Sequence, residues 1–221
     1  MREDAQALII YPQAGEANTA IRRSHRARIL DHTYESDPAK EKRSRAATTI
    51  RRYIKANNLS LLITNTFAVE VKSEEAMNIS NYWIRKLRER VFCNPFPYVK
   101  VLEGIPEGER VHIHALLPFV PYHEIASTWN RGSIDIKCFP RTSSGLVSKY
   151  LAKTVADNTI HRKRGFTTGA GFKPIRHVLY IDNQDPVSIL QHEVGLKNIV
   201  CVQDDYGFVG GGRYEFEASI R

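Results

Sequence analysis

Tyr98-Val99-Lys100-Val101-Leu102-Glu103 and Arg110-Val111-His112-Ile113-His114-Ala115-Leu116-Leu117 are two β-forming runs separated by Gly104-Ile105-Pro106-Glu107-Gly108-Glu109. Pro and Gly supply turn chemistry in the middle, so the segment predicts a β-hairpin. On a strand, side chains at i and i+2 share a face, which sends His112 and His114 to one side with their imidazoles roughly 6–7 Å apart. Folding the hairpin about residues 106–109 sets Glu103 across from His112 on that same face. Two imidazoles and a carboxylate with open coordination positions suit a divalent cation that also grips a substrate oxygen. Mg²⁺ or Mn²⁺ fits this set better than structural zinc, which takes four closed ligands. The same alternation also describes histidines that merely face water from a half-exposed strand, and a slip of one residue in register would take Glu103 off the face.

Working outward, Leu59 to Phe67 is short, apolar and closed by polar residues, and it predicts a buried central strand. A helix is expected to start at Ser73-Glu74-Glu75, carry Ile79, Trp83, Ile84, Leu87 and Val91 as one stripe, and stop at Asn94-Pro95-Phe96-Pro97. Beyond the hairpin come a short helix from Pro121 to Trp129, an alternating strand from Ile134 to Phe139, and a helix from about Gly145 to Ala156 capped by Thr142-Ser143-Ser144. Strand, helix, hairpin, helix, strand, helix is the order of an α+β protein, with an antiparallel sheet and helices packed on it.

The flanks are less regular. Residues 1–20 are weakly patterned, and from Ile21 to Asn58 arginine and lysine crowd the chain, with a helix expected from about Lys40 to Lys55 that buries Ala46, Ile50 and Ile54. We therefore expect a basic, partly helical N-terminal extension over residues 1–58 and one main domain over 59–221, elaborated at its C-terminus. Strands are expected at Arg176 to Ile181 and Asn198 to Val202. The segment containing Gly210-Gly211-Gly212 suggests no particular element.

The chain has 221 residues, 42% of them hydrophobic, and a formal net charge of +8. That is enough apolar material for a core, and the charge favours a polyanionic partner, nucleic acid first, although such a charge also serves solubility. The three cysteines form no CxxC pair, so they are expected to be buried free thiols in a reducing compartment rather than a zinc knuckle or disulfide framework. No apolar run is long enough to cross a bilayer and Met1-Arg2-Glu3-Asp4 opens no signal-peptide core, so a cytoplasmic location and no membrane partner are expected.

Tyr150-Leu151-Ala152-Lys153 lies on the last of these helices, and residues three apart there are neighbours. A phenol near pKa 10 is a poor nucleophile at neutral pH. A metal-bound phosphate and a nearby ammonium lower the cost of its attack. Lys153 suits charge stabilisation or protonation of a leaving oxygen, and Lys149 suits contact with backbone phosphate. Alternatively Tyr150 is a core residue beside Leu146 and Leu151. Arg51, Arg52 and the basic knot Arg162-Lys163-Arg164 are further candidates for DNA contact.

Leu61-Leu62-Ile63-Thr64-Asn65-Thr66-Phe67, His112-Ile113-His114 and Tyr150-Leu151-Ala152-Lys153, in that order, resemble the three motifs of the HUH endonucleases. The order is similar to that of the single-tyrosine rolling-circle replication initiators of phages, plasmids and single-stranded DNA viruses. Conjugative relaxases place their tyrosine before the histidines. The resemblance covers about residues 40–175. Asn65 departs from the pattern, standing where the family carries an apolar residue. The resemblance implies a ferredoxin-like sheet and metal-dependent nicking and rejoining of single-stranded DNA at an origin presented as a hairpin loop. It further implies a 5′-phosphotyrosine intermediate formed by Tyr150. No G-x-x-x-x-G-K-[ST] occurs, so a helicase, like the polymerase, would come from the host or another gene. A single-tyrosine transposase and a non-catalytic DNA-binding protein on the same scaffold are the alternatives.

Overall fold

The computed structural model describes residues 5–22, 37–103, 110–157, 165–181, 185–192, 194–203 and 212–217. In chain order these include β1 (Ala5–Tyr11), β2 (Glu16–Arg22), α1 (Pro38–Ala56), β3 (Leu61–Phe67), α2 (Ser73–Leu87), β4 (Val99–Glu103) and β5 (His112–Leu117). There follow α3 (Tyr122–Ala126), β6 (Gly132–Cys138), α4 (Ser144–Asp157), β7 (Thr167–Thr168), β8 (His177–Ile181), α5 (Pro186–His192), β9 (Val200–Gln203) and β10 (Gly212–Glu215). The class is α+β, with two five-stranded antiparallel sheets. No helix among the described residues is long and apolar enough to cross a membrane.

The chain divides into two compact units, Asp37–Lys173 and Met1–Ser36 with Pro174–Arg221. This is a different division from the expected extension over residues 1–58. α1 belongs with the histidine hairpin, and the weakly patterned N-terminus forms strands that pair with strands from the far end of the chain. In that second unit the order is β8-β1-β2-β10-β9. Leu8, Ile10 and Ala17 pack there against Ile189 and Leu190 of α5 and against Tyr214 and Phe216. Sequence reading missed β1, β2 and β10 because their partners lie so far away in sequence that no local pattern announces them.

In the unit Asp37–Lys173 the sheet order is β6-β3-β5-β4-β7. β3 is central, as expected, and its residues alternate between buried and half-buried. Leu61, Ile63 and Phe67 face a core built with Ala76, Trp83 and Leu87 of α2 and Ile125 beneath α3. The opposite face packs Val99, Val101 and Leu116 against α1 (Ile50, Tyr53, Ile54) and α4 (Leu151, Ala152, Val155). Each fully buried Leu or Ile contributes about 1.5–3 kcal/mol.

Local chemistry explains the element ends. Asp37 caps α1 by accepting from the Ala39 amide at 2.9 Å, and Pro38 opens the first turn, where no amide donor is needed. α2 carries Glu74 and Glu75 in its first turn and Arg85 and Lys86 in its last, each sign matching the helix dipole. Gly132 enters β6 at φ +154°, where an added Cβ would collide with the Thr66 carbonyl oxygen. Two features run against expectation. Lys100 is buried toward α2, with Nζ 2.6 Å from both Ser80 Oγ and Asn81 Oδ1. Cys93 and Cys138 are exposed rather than buried, the first in a left-handed turn and the second at the end of edge strand β6.

Candidate active site

The hairpin register places Glu103 opposite His112, as the turn position predicts, and Val101 opposite His114. On the other side β3 sets Thr66 opposite His112 and Thr64 opposite His114. One face of the sheet therefore carries Glu103, both histidines and both threonines. Asn65 does not disturb this register, because its side chain points to the other face, fully buried.

His114 is 2% exposed and held at both ring nitrogens: Nδ1 lies 3.1 Å from Thr64 Oγ1 and Nε2 lies 2.8 Å from Glu103 Oε2. In a neutral ring the Nε2–H donates to the carboxylate and the threonine hydroxyl donates to Nδ1. His112 is half-buried and bonded through Nδ1 to Thr66 Oγ1 at 2.9 Å, and its Nε2 has no hydrogen bond among the described residues. The two imidazoles are 6.4 Å apart between centroids and 26° from parallel, within the spacing expected along a strand.

Among the described residues no three or more His, Cys, Asp or Glu side chains converge as a ready metal cage. His114 and Glu103 meet, while His112 stands beside them. Two imidazole nitrogens and one carboxylate are donors that a divalent transition cation accepts, with the carboxylate the one donor that also suits Mg²⁺. Two ligands about 2.1 Å from one cation at right angles sit about 3 Å apart, close to the His114–Glu103 separation. The threonines on both Nδ1 atoms would serve as outer hydrogen-bonding partners if the rings held a cation, since a hydroxyl accepts as readily as it donates.

α4 brings Tyr150 over this face. Its ring meets the His114 ring edge-on, with centroids 5.4 Å apart at 81°. Tyr150 is 49% exposed and Leu146 75% exposed, so neither is a core residue, whereas Leu151 is buried. Burial pushes the Tyr150 phenol up from its ordinary pKa, the Glu103 carboxylate raises it further, and Lys137 lowers it.

Lys137 was missed in the sequence. β6 pairs Asp135 with Thr64 and Lys137 with Leu62, which puts both charges on the histidine face, joined by a 3.1 Å ion pair. The signal was the alternation Ile134-Asp135-Ile136-Lys137, in which both isoleucines pack into the core opposite. Lys153 is exposed one turn along α4 from Tyr150, and Lys149 is exposed beside it. Arg51 is buried and Arg52 half-buried, and each has a partner within the protein. Arg162, Lys163 and Arg164 lie outside the described residues. His123 is exposed on α3 and belongs to no part of this cluster.

Comparison with family models, curated proteins and solved structures gave no match.

Proposed function

We propose that this protein nicks and rejoins single-stranded DNA through a covalent tyrosyl link, as a rolling-circle initiator of the HUH type. The observation that carries the reading is the meeting of Tyr150, His114 and Glu103 on one sheet face, with the phenol edge-on to an imidazole that touches the carboxylate. The order β6-β3-β5-β4, with β3-α2-β4 and β5-α3-β6 crossovers, supports a ferredoxin-like sheet beneath it. The basic charge supports a polyanionic substrate.

Glu103, His112 and His114 would hold the cation, Mg²⁺ or Mn²⁺. Bound there, it would polarise the scissile phosphate and neutralise charge developing on it. Tyr150 Oη attacks the phosphorus. The phenolic proton passes to water, the bond to the 3′ oxygen breaks, and that oxygen takes up a proton as the free 3′-OH. The 5′ phosphate remains esterified to Tyr150. Because one phosphodiester replaces another, attack by a 3′-OH reverses the step without ATP. Lys137 opposes the Glu103 charge at the phenol and so favours the attacking form. Lys153 and Lys149, exposed on the same helix, suit the flanking phosphates.

The test is incubation with single-stranded origin oligonucleotides and Mn²⁺, followed by a denaturing gel. A covalent adduct that disappears with Tyr150→Phe and with chelator supports the reading. Cleavage without adduct assigns water as the nucleophile, and binding without either leaves a DNA-binding protein.

A further inference from the structure

On the far side of the sheet from Tyr150 a cavity of about 420 Å³ opens between α2 and the 128–131 segment that leads into β6. That volume falls within the roughly 300–1,000 Å³ of small-ligand pockets. Its walls are Tyr82, Trp83 and Trp129, and Lys86, Asn130 and Arg131 supply polar and cationic groups. The walls are fixed in place. Trp83 Nε1 donates to Thr128 Oγ1 at 2.9 Å, that hydroxyl donates to the Ile125 carbonyl at 2.6 Å, and Lys86 Nζ donates to the Thr128 carbonyl at 2.9 Å. Trp129 is wedged edge-on between Phe67 and Trp83, at 5.3 and 6.1 Å. The Arg131 carbonyl accepts from the Ala68 amide at 2.8 Å. Tyr82 is 56% exposed, and the Arg85 guanidinium lies 4.9 Å over its ring.

We propose that this cavity takes one base of a single-stranded DNA, its ring on the exposed Tyr82 above the buried Trp83 and Trp129, and its phosphate toward Arg131 and Lys86. The exposed Tyr82 ring suits any base through its π-face, the side-chain amide of Asn130 suits a base edge, and the cations suit the backbone. A hydrophobic ligand would have no use for the cationic rim. A bare anion would have no use for the aromatic walls. The assignment rests on single-stranded DNA being the substrate, and it adds a second point of hold. A strand whose scissile phosphate lies at Tyr150 reaches the cavity around edge strand β6, whose opposite face carries Lys137.

Both tryptophans of the chain line this cavity, so their emission reports on it. Titration of the full chain with a single-stranded oligonucleotide, followed by tryptophan emission and in parallel by anisotropy of a labelled strand, tests the proposal. Emission should change with the same midpoint as anisotropy. Tyr82→Ala and Arg131→Ala should each raise the dissociation constant about tenfold, and Tyr82→Phe should restore it. Both positions are exposed, so the fold should tolerate the changes. Binding without an emission change, or unaltered affinity in Tyr82→Ala, overturns the cavity assignment and leaves the nicking reading standing. An emission change with these mutant effects, in a protein that never forms an adduct, upholds the cavity and sinks the nicking. dTMP binding as tightly as the strand would reassign the cavity to a free nucleotide, and no binding of either overturns the proposal.

Discussion

The Tyr150 ring stands edge-on to the His114 imidazole, 5.4 Å between centroids, and the far nitrogen of that imidazole touches Glu103. A phenol on one helix is thereby tied to a hairpin whose residues lie far from it in sequence. Removing the hydroxyl alone separates chemistry from structure. Tyr150→Phe should abolish the covalent adduct and leave thermal stability within about 0.5 kcal/mol of the parent, because the side chain is half-exposed. A melting curve beside the adduct gel checks both, and a large loss of stability would recast Tyr150 as structural.

The two histidines should respond unequally. His114→Ala removes a buried ring bonded at both nitrogens and strands Thr64 and Glu103, so it should cost about 1–3 kcal/mol in denaturant unfolding. His112→Ala, half-buried and bonded once, should cost less. Both should weaken Mn²⁺ binding, read by calorimetry. Equal stability losses with unchanged Mn²⁺ affinity would count against a shared metal role.

The Lys137 charge lowers the pKa of the Tyr150 phenol against the rise from burial and Glu103. Lys137→Ala should slow adduct formation on the order of tenfold, about 1.4 kcal/mol of barrier, at unchanged melting temperature. Lys153→Ala should act mainly on affinity for the strand. Single-turnover rates at saturating DNA distinguish the two, and a Lys137→Ala rate equal to the parent's would remove that lysine from the mechanism.

Asn65 is fully buried, and neither its amide nitrogen nor its oxygen has a hydrogen-bond partner among the described residues. Burying an unpaired amide costs about 1–3 kcal/mol. Asn65→Leu should therefore stabilise the protein by roughly that amount while leaving the Thr64 and Thr66 contacts in place. A lower denaturation midpoint in Asn65→Leu would mean the amide is satisfied in solution.

Alkaline pH should loosen α1. The Tyr53 phenol is buried and its hydroxyl donates to the Gly169 carbonyl; burial pushes its pKa up to about 12. Since the folded value lies above the unfolded value near 10, the unfolded chain loses this proton first. Stability should fall as pH rises from about 10 through 12, and Tyr53→Phe should flatten that slope. Unfolding free energies at stepped pH provide the check.

The sequence alone determined the hairpin and the face shared by His112 and His114, and it predicted the register that sets Glu103 beside them. Those follow from a period of two and from a turn whose position fixes which residues pair. It also determined the amphipathic stripes of α1 and α2, because local periodicity shows which side will be covered. Only the tertiary structure decided that Glu103 bonds His114 rather than His112, that the Lys137 charge on β6 acts on the phenol, and that Arg51 is buried. It likewise decided that β1 and β2 pair with strands from the opposite end of the chain. The Glu103–His114 contact is settled by side-chain placement within the hairpin; each of the others depends on which distant segment comes to lie alongside, and hydrophobic burial chooses that partner without leaving a local mark in the sequence.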